Sequence, residues 1–298
     1  MKQAICTIST QSHLFKSQAL LESVARYSDV DLFCLITDSE QQVEGNLFHT
    51  HTLSDLQSDL AKKIKKKYKG DSLRWALKSV YIQFLLEQGY EQVIYVDNDI
   101  FFYSSPDLLF EKLNTSSFLI TPHFYKADPS KDQNWLEANF RVGLYNAGFI
   151  GANRNAIPIL EWWANCCLYN VKKAFWRGLF DDQKYLDLIP ILFDDVAIIK
   201  HRGCNFAGWN SQQSTLKRNI ENQLTVNGDS LVFIHFTALS LLEFSKKEHA
   251  VNEELESYVK ALKNINPNFD SKESKLDKRN LKAYFYYLRW NIARILER

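Results

Sequence analysis

The sequence contains few of the residues that interrupt regular structure. Its 298 residues include six prolines and ten glycines, too few for a disordered or linker-rich protein. The five cysteines are an odd number without a C-x-x-C pair, and Cys6 and Cys34 fall inside predicted strands. We therefore expect buried thiols in a reducing compartment.

Long apolar runs and a charge excess are also missing. No window approaches 18 consecutive apolar residues, so no transmembrane helix is predicted. The N-terminal residues pass directly into a strand, without the apolar segment of a signal peptide. Lys and Arg number 36 against 35 Asp and Glu, and the net charge of +1 gives no attraction to nucleic acid. These absences predict a cytoplasmic globular protein.

What the sequence does contain is a buried strand that ends in two acids. Residues 93–96 are Val-Ile-Tyr-Val, and Asp97, Asn98 and Asp99 follow. Alternate side chains of an extended segment share a side, so Asp97 and Asp99 can converge while Asn98 faces away. Paired carboxylates at a strand end favour Mn²⁺ or Mg²⁺ together with a substrate diphosphate, in a place where α/β sheets bind ligands. The simpler alternative is a polar turn.

The N-terminal region predicts a βαβ unit. Two apolar strands, residues 4–8 and 31–38, flank an amphipathic helix, which predicts a right-handed crossover and a parallel sheet. Polar residues follow both strands at the same predicted edge. They are Thr7, Ser9, Thr10 and Asp38. Ligand contact and helix capping are equally good interpretations of the three hydroxyls.

Two basic features precede the acidic strand. Residues 61–69 include six lysines, and a solvated surface is the first interpretation of such a run, with an anionic membrane or glycan as the alternative. A helix is then predicted to continue to about Gln88, with its apolar face on the sheet. Arg74 and Lys78, four residues apart, share its other face.

Two segments after the acids are predicted to contribute to a site. Residues 125–141 are polar with a few aromatics and read as an inserted loop, and long loops in compact domains are usually functional. Residues 145–151 place Asn146 and Ala147 in a small-residue turn against a strand. Such a turn allows a ligand to approach the backbone closely.

Further acids and a histidine follow. Residues 180–183 open a predicted helix, where the helix dipole alone would favour Asp181 and Asp182. The last apolar strand, residues 231–236, carries His235. A lone histidine in such a strand is usually structural, but here it would complement the two acids as a neutral ligand.

The composition changes near residue 245, which divides the chain into a predicted catalytic domain (1–245) and a helical extension (246–298). From Lys272 to Arg298 the extension has eight basic against three acidic residues, interleaved with aromatics. This pattern fits either peripheral binding to an anionic membrane or a terminal helix docked on the domain.

In their order, these motifs resemble metal-dependent nucleotide-sugar glycosyltransferases of the GT-A fold, and glycosyltransferase family 8 most of all. The resemblance covers roughly residues 1–240. Its most specific part joins the basic helix at residues 73–78 to Tyr-Val-Asp-Asn-Asp at 95–99, like the family's Y-x-D-x-D strand end. It implies a Rossmann-like α/β fold with a mixed central sheet and a C-terminal helical extension.

The resemblance also implies roles for individual residues. Mn²⁺ or Mg²⁺ would be held by Asp97, Asp99 and His235, and the catalytic candidates are Asp181, Asp182 and Gln183, the last two similar to the family's D-Q pair. The residues expected to bind the donor, by resemblance or by position, are Thr7, Ser9, Thr10, Asp38, Arg74, Lys78, Asn98, Asn146 and Ala147.

The function implied is a hexosyltransferase that moves a sugar from a nucleotide-sugar, by the family's precedent a UDP-sugar, to a glycan or lipid-linked saccharide such as lipopolysaccharide or capsule. A peripheral position at the inner membrane would fit such an acceptor. After His235-Phe236 the chain lacks the family's Gly and Lys-Pro-Trp, so one alternative is a degenerate, non-catalytic glycan-binding protein. An aspartyl-nucleophile phosphohydrolase is a weaker alternative, because two strands precede the acids.

Overall fold

The computed structural model describes residues 1–41, 47–246 and 249–270. In chain order its strands are β1 (Gln3–Ser9), β2 (Asp31–Ile36), β3 (His49–Thr52), β4 (Gln92–Val96), β5 (Ile100–Phe102), β6 (Phe118–Pro122), β7 (Tyr145–Asn153), β8 (Val196–Ile198), β9 (Leu216–Arg218), β10 (Leu224–Val226), β11 (Asp229–Ser230) and β12 (Phe233–His235). Its α-helices are α1 (Leu14–Ala25), α2 (Asp59–Lys67), α3 (Gly70–Glu87), α4 (Asp107–Leu113), α5 (Gln133–Arg141), α6 (Ile157–Tyr169), α7 (Ile189–Leu192), α8 (Ala238–Phe244) and α9 (Asn252–Ile265).

A mixed sheet of seven strands forms the centre, in the order β3-β2-β1-β4-β7-β6-β8. The first four of these run parallel to one another, whereas β7 lies antiparallel between β4 and β6. The predicted βαβ unit is β1-α1-β2, and the expected α/β fold with a mixed central sheet is confirmed.

Helices cover both faces of this sheet, which is why its central strands are apolar almost throughout. Alternate residues of β1 point to opposite faces. Ala4, Cys6 and Ile8 pack with helices α2, α3 and α6, while Ile5 packs with α1 and α4. The helices lie against the faces of the sheet, and at the carboxyl end of β4 the side chains of Asp97 and Asp99 are partly exposed, so they are available for a site.

The acidic segment connects two sheets. Strand β4 ends at Val96, and after the turn at residues 97–99 the chain enters β5, which pairs antiparallel with β12 rather than with the main sheet. In that pairing Ile100 lies opposite His235. The pairing brings a histidine that is far away in sequence next to the two acids.

Two expectations about irregular segments were wrong. The predicted loop at residues 125–141 contains helix α5, whose first turn is capped by the Asp132 carboxylate accepting from the amides of Asn134 and Trp135. The predicted turn around residues 146–148 is part of strand β7. Its small residues have another cause: a Cβ on Gly148 would lie 2.4 Å from the His235 ring, so the strand must lack a side chain there.

Helix α9 is the first helix of the predicted C-terminal extension, and it packs on the core. Tyr258 lies flat on Phe236, with ring centroids 4.1 Å apart, and meets Phe101 edge-on at 5.6 Å. The basic tail at residues 271–298, with its predicted membrane contact, lies outside the described residues. The domain boundary at 245 stays a prediction. No helix in the described part of the chain is long and apolar enough to cross a membrane.

Replacing Tyr258 by alanine tests whether α9 belongs to the core that contains Phe101 and Phe236. Because Tyr258 is 1% exposed, we expect the free energy of unfolding to fall by about 3–5 kcal/mol, measured by urea denaturation. Glu256→Ala, at an exposed position of the same helix, is the control. Equal stability of the two variants would show that α9 folds separately from the domain.

Candidate active site

Two acids and a histidine meet at the carboxyl end of β4. One ligating atom each from Asp97, Asp99 and His235 lie within 4.8 Å of one another. His235 Nε2 is 3.0 Å from Asp99 Oδ1 and 4.0 Å from Asp97 Oδ2. The backbone amide of Phe236 donates to the carbonyl of Asp99 at 2.7 Å, which fixes the register of β12 against the acidic turn.

The charges of these groups shift their pKa values in opposite directions. Burial opposes the charged form of Asp99, yet His235 and Lys16 outweigh it and lower the pKa of Asp99 to about 2. Burial alone would lower the pKa of His235, but Asp99 and Asp97 raise it above its ordinary value. The two carboxylates thus attract positive charge to this point, as a divalent cation site requires.

A buried lysine ties the cluster to the acids of the 180–183 segment. Lys78 Nζ lies 3.0 Å from Asp97 Oδ1 and 3.2 Å from Asp182 Oδ2, and donates to the carbonyl of Ala147 at 3.0 Å. The hydroxyl of Tyr95 donates to Asp97 Oδ1 at 2.7 Å. Burial raises the pKa of Asp182 to about 7, against the opposing effect of Lys78.

A chain of buried hydrogen bonds runs behind His235. Its Nδ1 is 3.2 Å from Asn205 Oδ1, and Asn205 Nδ2 donates to Asn146 Oδ1 at 3.1 Å. Asn146 Nδ2 is 3.2 Å from His123 Nε2, and His123 Nδ1 is 3.0 Å from the carbonyl of Gly143. The carbonyl of Gly143 can only accept, so His123 must donate to it from Nδ1. Each earlier group, beginning with His235, then donates to the next group in the chain.

The order of donors places a proton on Nδ1 of each histidine. The amide of Gly148 donates to Asn146 Oδ1 at 3.0 Å, which fixes the orientation of the Asn146 side chain. Burial lowers the pKa of His123 to about 3, so this ring is neutral with its proton on Nδ1. His235 likewise donates from Nδ1 to Asn205. Because the Asp99 carboxylate can only accept, Nε2 carries a proton as well at 3.0 Å from it, and loss of that proton would make Nε2 available to a cation.

Asn205 and His123 are functional candidates that sequence reasoning missed. Asn205 has a left-handed backbone with φ of 58°, a conformation that asparagine tolerates better than most residues. The only sign of it in the sequence was the polar–aromatic run at residues 204–210. Within that run, the Trp209 ring meets His235 edge-on at 5.3 Å, and its buried Nε1 has no hydrogen-bond partner among the described residues.

The other catalytic candidates lie beside this network. Gln183 is buried, with its Oε1 3.5 Å from Asn146 Nδ2, and it begins a 3-10 turn rather than the α-helix expected there. Asp181 has a positive φ of 40° and pairs with Lys173 at 3.7 Å. Burial raises the pKa of Asp181 above its ordinary value. The structure therefore brings Asp182 and Gln183 to Lys78 and Asn146, with Asp181 turned to Lys173.

The polar residues after β1 and β2 meet at the neighbouring edge, as their positions predicted. Asn98 Nδ2 donates to Ser9 Oγ at 3.2 Å, so Asn98 does face away from the acids. The amide of Gln11 donates to Asp38 Oδ1 at 2.7 Å. Ser9, Asn98 and Asp38 thus form a polar ledge beside the acid cluster.

Three donor-binding candidates have different surroundings. Thr10 Oγ1 is 2.8 Å from His13 Nδ1. Arg74 forms an ion pair with Asp71 on its own helix and is among the cations that lower the pKa of His13, after burial and Lys16. Thr7 is fully buried, and its hydroxyl has no hydrogen-bond partner in the part of the chain described.

Comparison with known proteins gives distant relatives. No family model matches the chain. The uncharacterized protein YfnF of Bacillus subtilis (strain 168) is 29% identical over 260 residues, covering 83% of this chain and 84% of that protein. The uncharacterized protein YfnD of the same organism is 24% identical over 248 residues, or 79% and 78% of the two chains.

Solved structures are similar in fold. The galactosyltransferase LgtC, solved with donor and acceptor sugar analogues, superposes with a TM-score of 0.55 at 10% identity, over 92% of this chain and 100% of LgtC. The glycosyltransferase GlyE of Streptococcus pneumoniae TIGR4 gives a TM-score of 0.52 at 11% identity, over 92% and 62% of the respective chains. The chain has the GT-A glycosyltransferase fold.

Replacing Lys78 by methionine tests the electrostatic arrangement of the site. Removing one partner of a buried ionic cluster leaves charge uncompensated, and we expect the free energy of unfolding to fall by about 3–5 kcal/mol at neutral pH. Arg74→Met, on the same helix but partly exposed, is the control and should change the free energy of unfolding little.

The pH dependence sharpens this test. The folded pKa of Asp182 lies above its unfolded value of about 3.9, so the folded state binds the proton more tightly and stability falls as pH rises between the two values. Without Lys78 this loss extends to higher pH. Urea denaturation should show a larger deficit for the Lys78 variant at pH 8 than at pH 5; a pH-independent deficit would contradict the arrangement.

Proposed function

We propose that the protein is a metal-dependent glycosyltransferase that moves a hexose from a UDP-sugar to a glycan or lipid-linked saccharide. The observation that carries the proposal is the cluster of Asp97, Asp99 and His235 at the carboxyl end of a central strand. Its support is the GT-A fold around the cluster and the edge position, where α/β sheets bind ligands.

The donor groups fit Mn²⁺ or Mg²⁺. Carboxylate oxygens of Asp97 and Asp99, with Nε2 of His235, would hold the ion; oxygen with one imidazole nitrogen suits such cations. The hydrogen bond from His235 to Asn205 supplies the usual outer support of a histidine ligand. When bound, the ion would neutralise charge developing on the departing diphosphate.

The remaining side chains would bind and orient the donor. Of the polar ledge, the accessible Asn98 and Asp38 would offer amide and carboxylate groups to a uridine, with the buried Ser9 holding Asn98 from behind. On the other side, Asp182 and Gln183 lie near Asn146 and would face the sugar. This division follows the strand order, since β1 and β2 lie on one side of β4 in the sheet and β7, which carries Asn146, lies on the other.

Asp182 and Lys78 would adjust the charge near the anomeric carbon. Lys78 holds Asp97 and Asp182 together and adds a fixed positive charge beside the diphosphate. If the reaction retains configuration, Gln183 or Asp182 would stabilise the positively charged sugar carbon. If it inverts, Asp181 or Asp182 would accept the proton of the acceptor hydroxyl. Analysis of the anomeric configuration of the product distinguishes the two.

One observation favours a second candidate, a glycan-binding protein without turnover. In glycosyltransferase family 8, which the chain resembles, the segment after the corresponding histidine closes over the diphosphate. In this protein helix α8 follows His235, and the side chain of Thr237 caps its first turn by accepting from the amide of Ser240. A protein of this kind would bind saccharides independently of a metal ion.

Thermal-shift measurements with nucleotides test the first proposal. A ligand that binds only the folded protein adds about 2.7 kcal/mol of stability at a hundred times its Kd, so UDP should raise the Tm when Mn²⁺ is present. The shift should disappear in EDTA and in Asp97→Asn and Asp99→Asn, but persist in Asp107→Asn, an exposed acid elsewhere. Equal shifts with and without metal would exclude the metal–diphosphate site.

Replacing Asn205 by alanine tests the support of His235. With its outer partner gone, the Nδ1 proton of His235 no longer has a fixed acceptor, and the affinity for Mn²⁺ in the presence of UDP should fall about 10–100-fold. Isothermal titration would measure the affinity, and the ¹⁵N chemical shifts of His235 in the metal-free protein would report whether Nδ1 keeps its proton. Asn219→Ala, at an exposed site, is the control. Unchanged affinity would rule out this role of Asn205.

A further inference from the structure

Two segments without any acidic residue meet on the surface of the protein. Residues 62–69 carry six lysines, and residues 169–178 carry two lysines and an arginine. They are joined where Lys67 Nζ donates to the carbonyls of Leu168 at 2.6 Å and Tyr169 at 2.9 Å. We call the exposed side chains of these two segments the basic–aromatic face.

The lysines of this face are directed outward by the packing of α2. Ala61 and Ile64 are fully buried against the core, so the side chains between and beyond them point to solvent. Lys63, Lys66 and Lys172 are exposed, and their ammonium groups form no ion pair with a described residue. Their charge is therefore available to an external partner.

The second segment exposes a tryptophan side chain to solvent. Ala174 and Leu179 exchange two backbone hydrogen bonds, of 2.9 and 3.2 Å, and the tight turn between them carries Trp176 at its tip with 88% of the residue exposed. Tyr169 nearby is 62% exposed. Keeping a large indole in water is unfavourable, and a hydrogen-bonded turn that does so indicates an interaction surface.

We propose that the basic–aromatic face binds an anionic lipid surface. Lysine and arginine are attracted to anionic headgroups, and tryptophan and tyrosine settle at the boundary between headgroups and hydrocarbon. Cations alone would fit any polyanion. The combination with an exposed indole favours lipid, because transfer of the ring out of water is most favourable where the charges can stay at the headgroups.

The face adjoins the candidate active site. Lys173, in the same turn as Trp176, contacts Asp181 at 3.7 Å, and Asp182 follows. A protein docked by this face would therefore hold its acids close to the membrane surface. In this one respect the inference rests on the proposed function: it assigns the acceptor to saccharides carried on lipid, while the binding of lipid itself stands independently.

Sedimentation with vesicles tests the proposal on the full chain. The protein should bind vesicles of equal parts phosphatidylglycerol and phosphatidylcholine, and not vesicles of phosphatidylcholine alone. The triple variant Lys63→Glu, Lys66→Glu, Lys172→Glu should bind the anionic vesicles about a hundredfold more weakly, since each lost cation removes on the order of a fivefold factor. Trp176→Ser should weaken binding by about tenfold.

Matched controls separate this face from general charge and from the rest of the chain. Lys112→Glu, Lys217→Glu, Lys260→Glu makes the same charge change at exposed sites elsewhere, and Ile220→Ser removes an equally exposed apolar side chain. Both controls should bind like the unchanged protein. Loss of binding by the controls to the same extent, or full binding by the variants of the face, would overturn the proposal.

Two further outcomes are informative. If the chain ignored anionic vesicles but bound dextran sulfate through the same lysines, the partner would be a dissolved polyanion and the lipid proposal would be wrong. The Mn²⁺-dependent thermal shift with UDP, measured on the same variants, should remain. Because vesicle binding needs neither nucleotide nor metal, the lipid proposal and the proposed function can fail separately.

Discussion

One buried ammonium group holds the candidate site together. Lys78 is 3% exposed, and its three protons are directed to Asp97, Asp182 and the carbonyl of Ala147. These acceptors belong to the turn after β4, the 180–183 segment and strand β7, which are distant in sequence. A buried cation is tolerable only when it is fully paired, so the requirement to satisfy Lys78 fixes the positions of all three segments.

The second constraint is the close approach of β12 to the main sheet. Pairing between β5 and β12 puts His235 beside the acidic turn, and its ring occupies the space that a side chain at position 148 would need. Strand β7 therefore has a glycine, Gly148, at the position where the ring of His235 packs against it. The polar site and the packing of the two sheets are thus a single arrangement rather than a site added to a finished fold.

The predictable parts of the structure are those that depend on local pattern. The strand before Asp97 and Asp99 could be predicted because apolar runs and alternation are properties of neighbouring residues. The four-residue spacing of Lys78 from Arg74 likewise indicated a shared helix face. The role of Asn205 could not be predicted, because its partners His235 and Asn146 are 30 and 59 residues away. Its left-handed backbone conformation produces no periodic pattern in the sequence. Helix α5 was missed because it has only nine residues, is mostly polar and buries Ala138 alone, and because its cap at Asp132 resembles an ordinary loop residue.

The hydrogen bonds of Asn146 have a consequence for how a sugar would enter. An asparagine side chain offers two donors and two acceptor positions. In this fold its oxygen accepts from Gly148 and Asn205, and its nitrogen faces His123 and, at 3.5 Å, Gln183. All four positions are used, and the bond to Gln183 is the longest. A sugar hydroxyl could therefore accept a hydrogen bond from Asn146 only by displacing Gln183. Binding of the sugar and release of the Gln183 side-chain oxygen would then be one event, and the released oxygen would be free to contact the sugar.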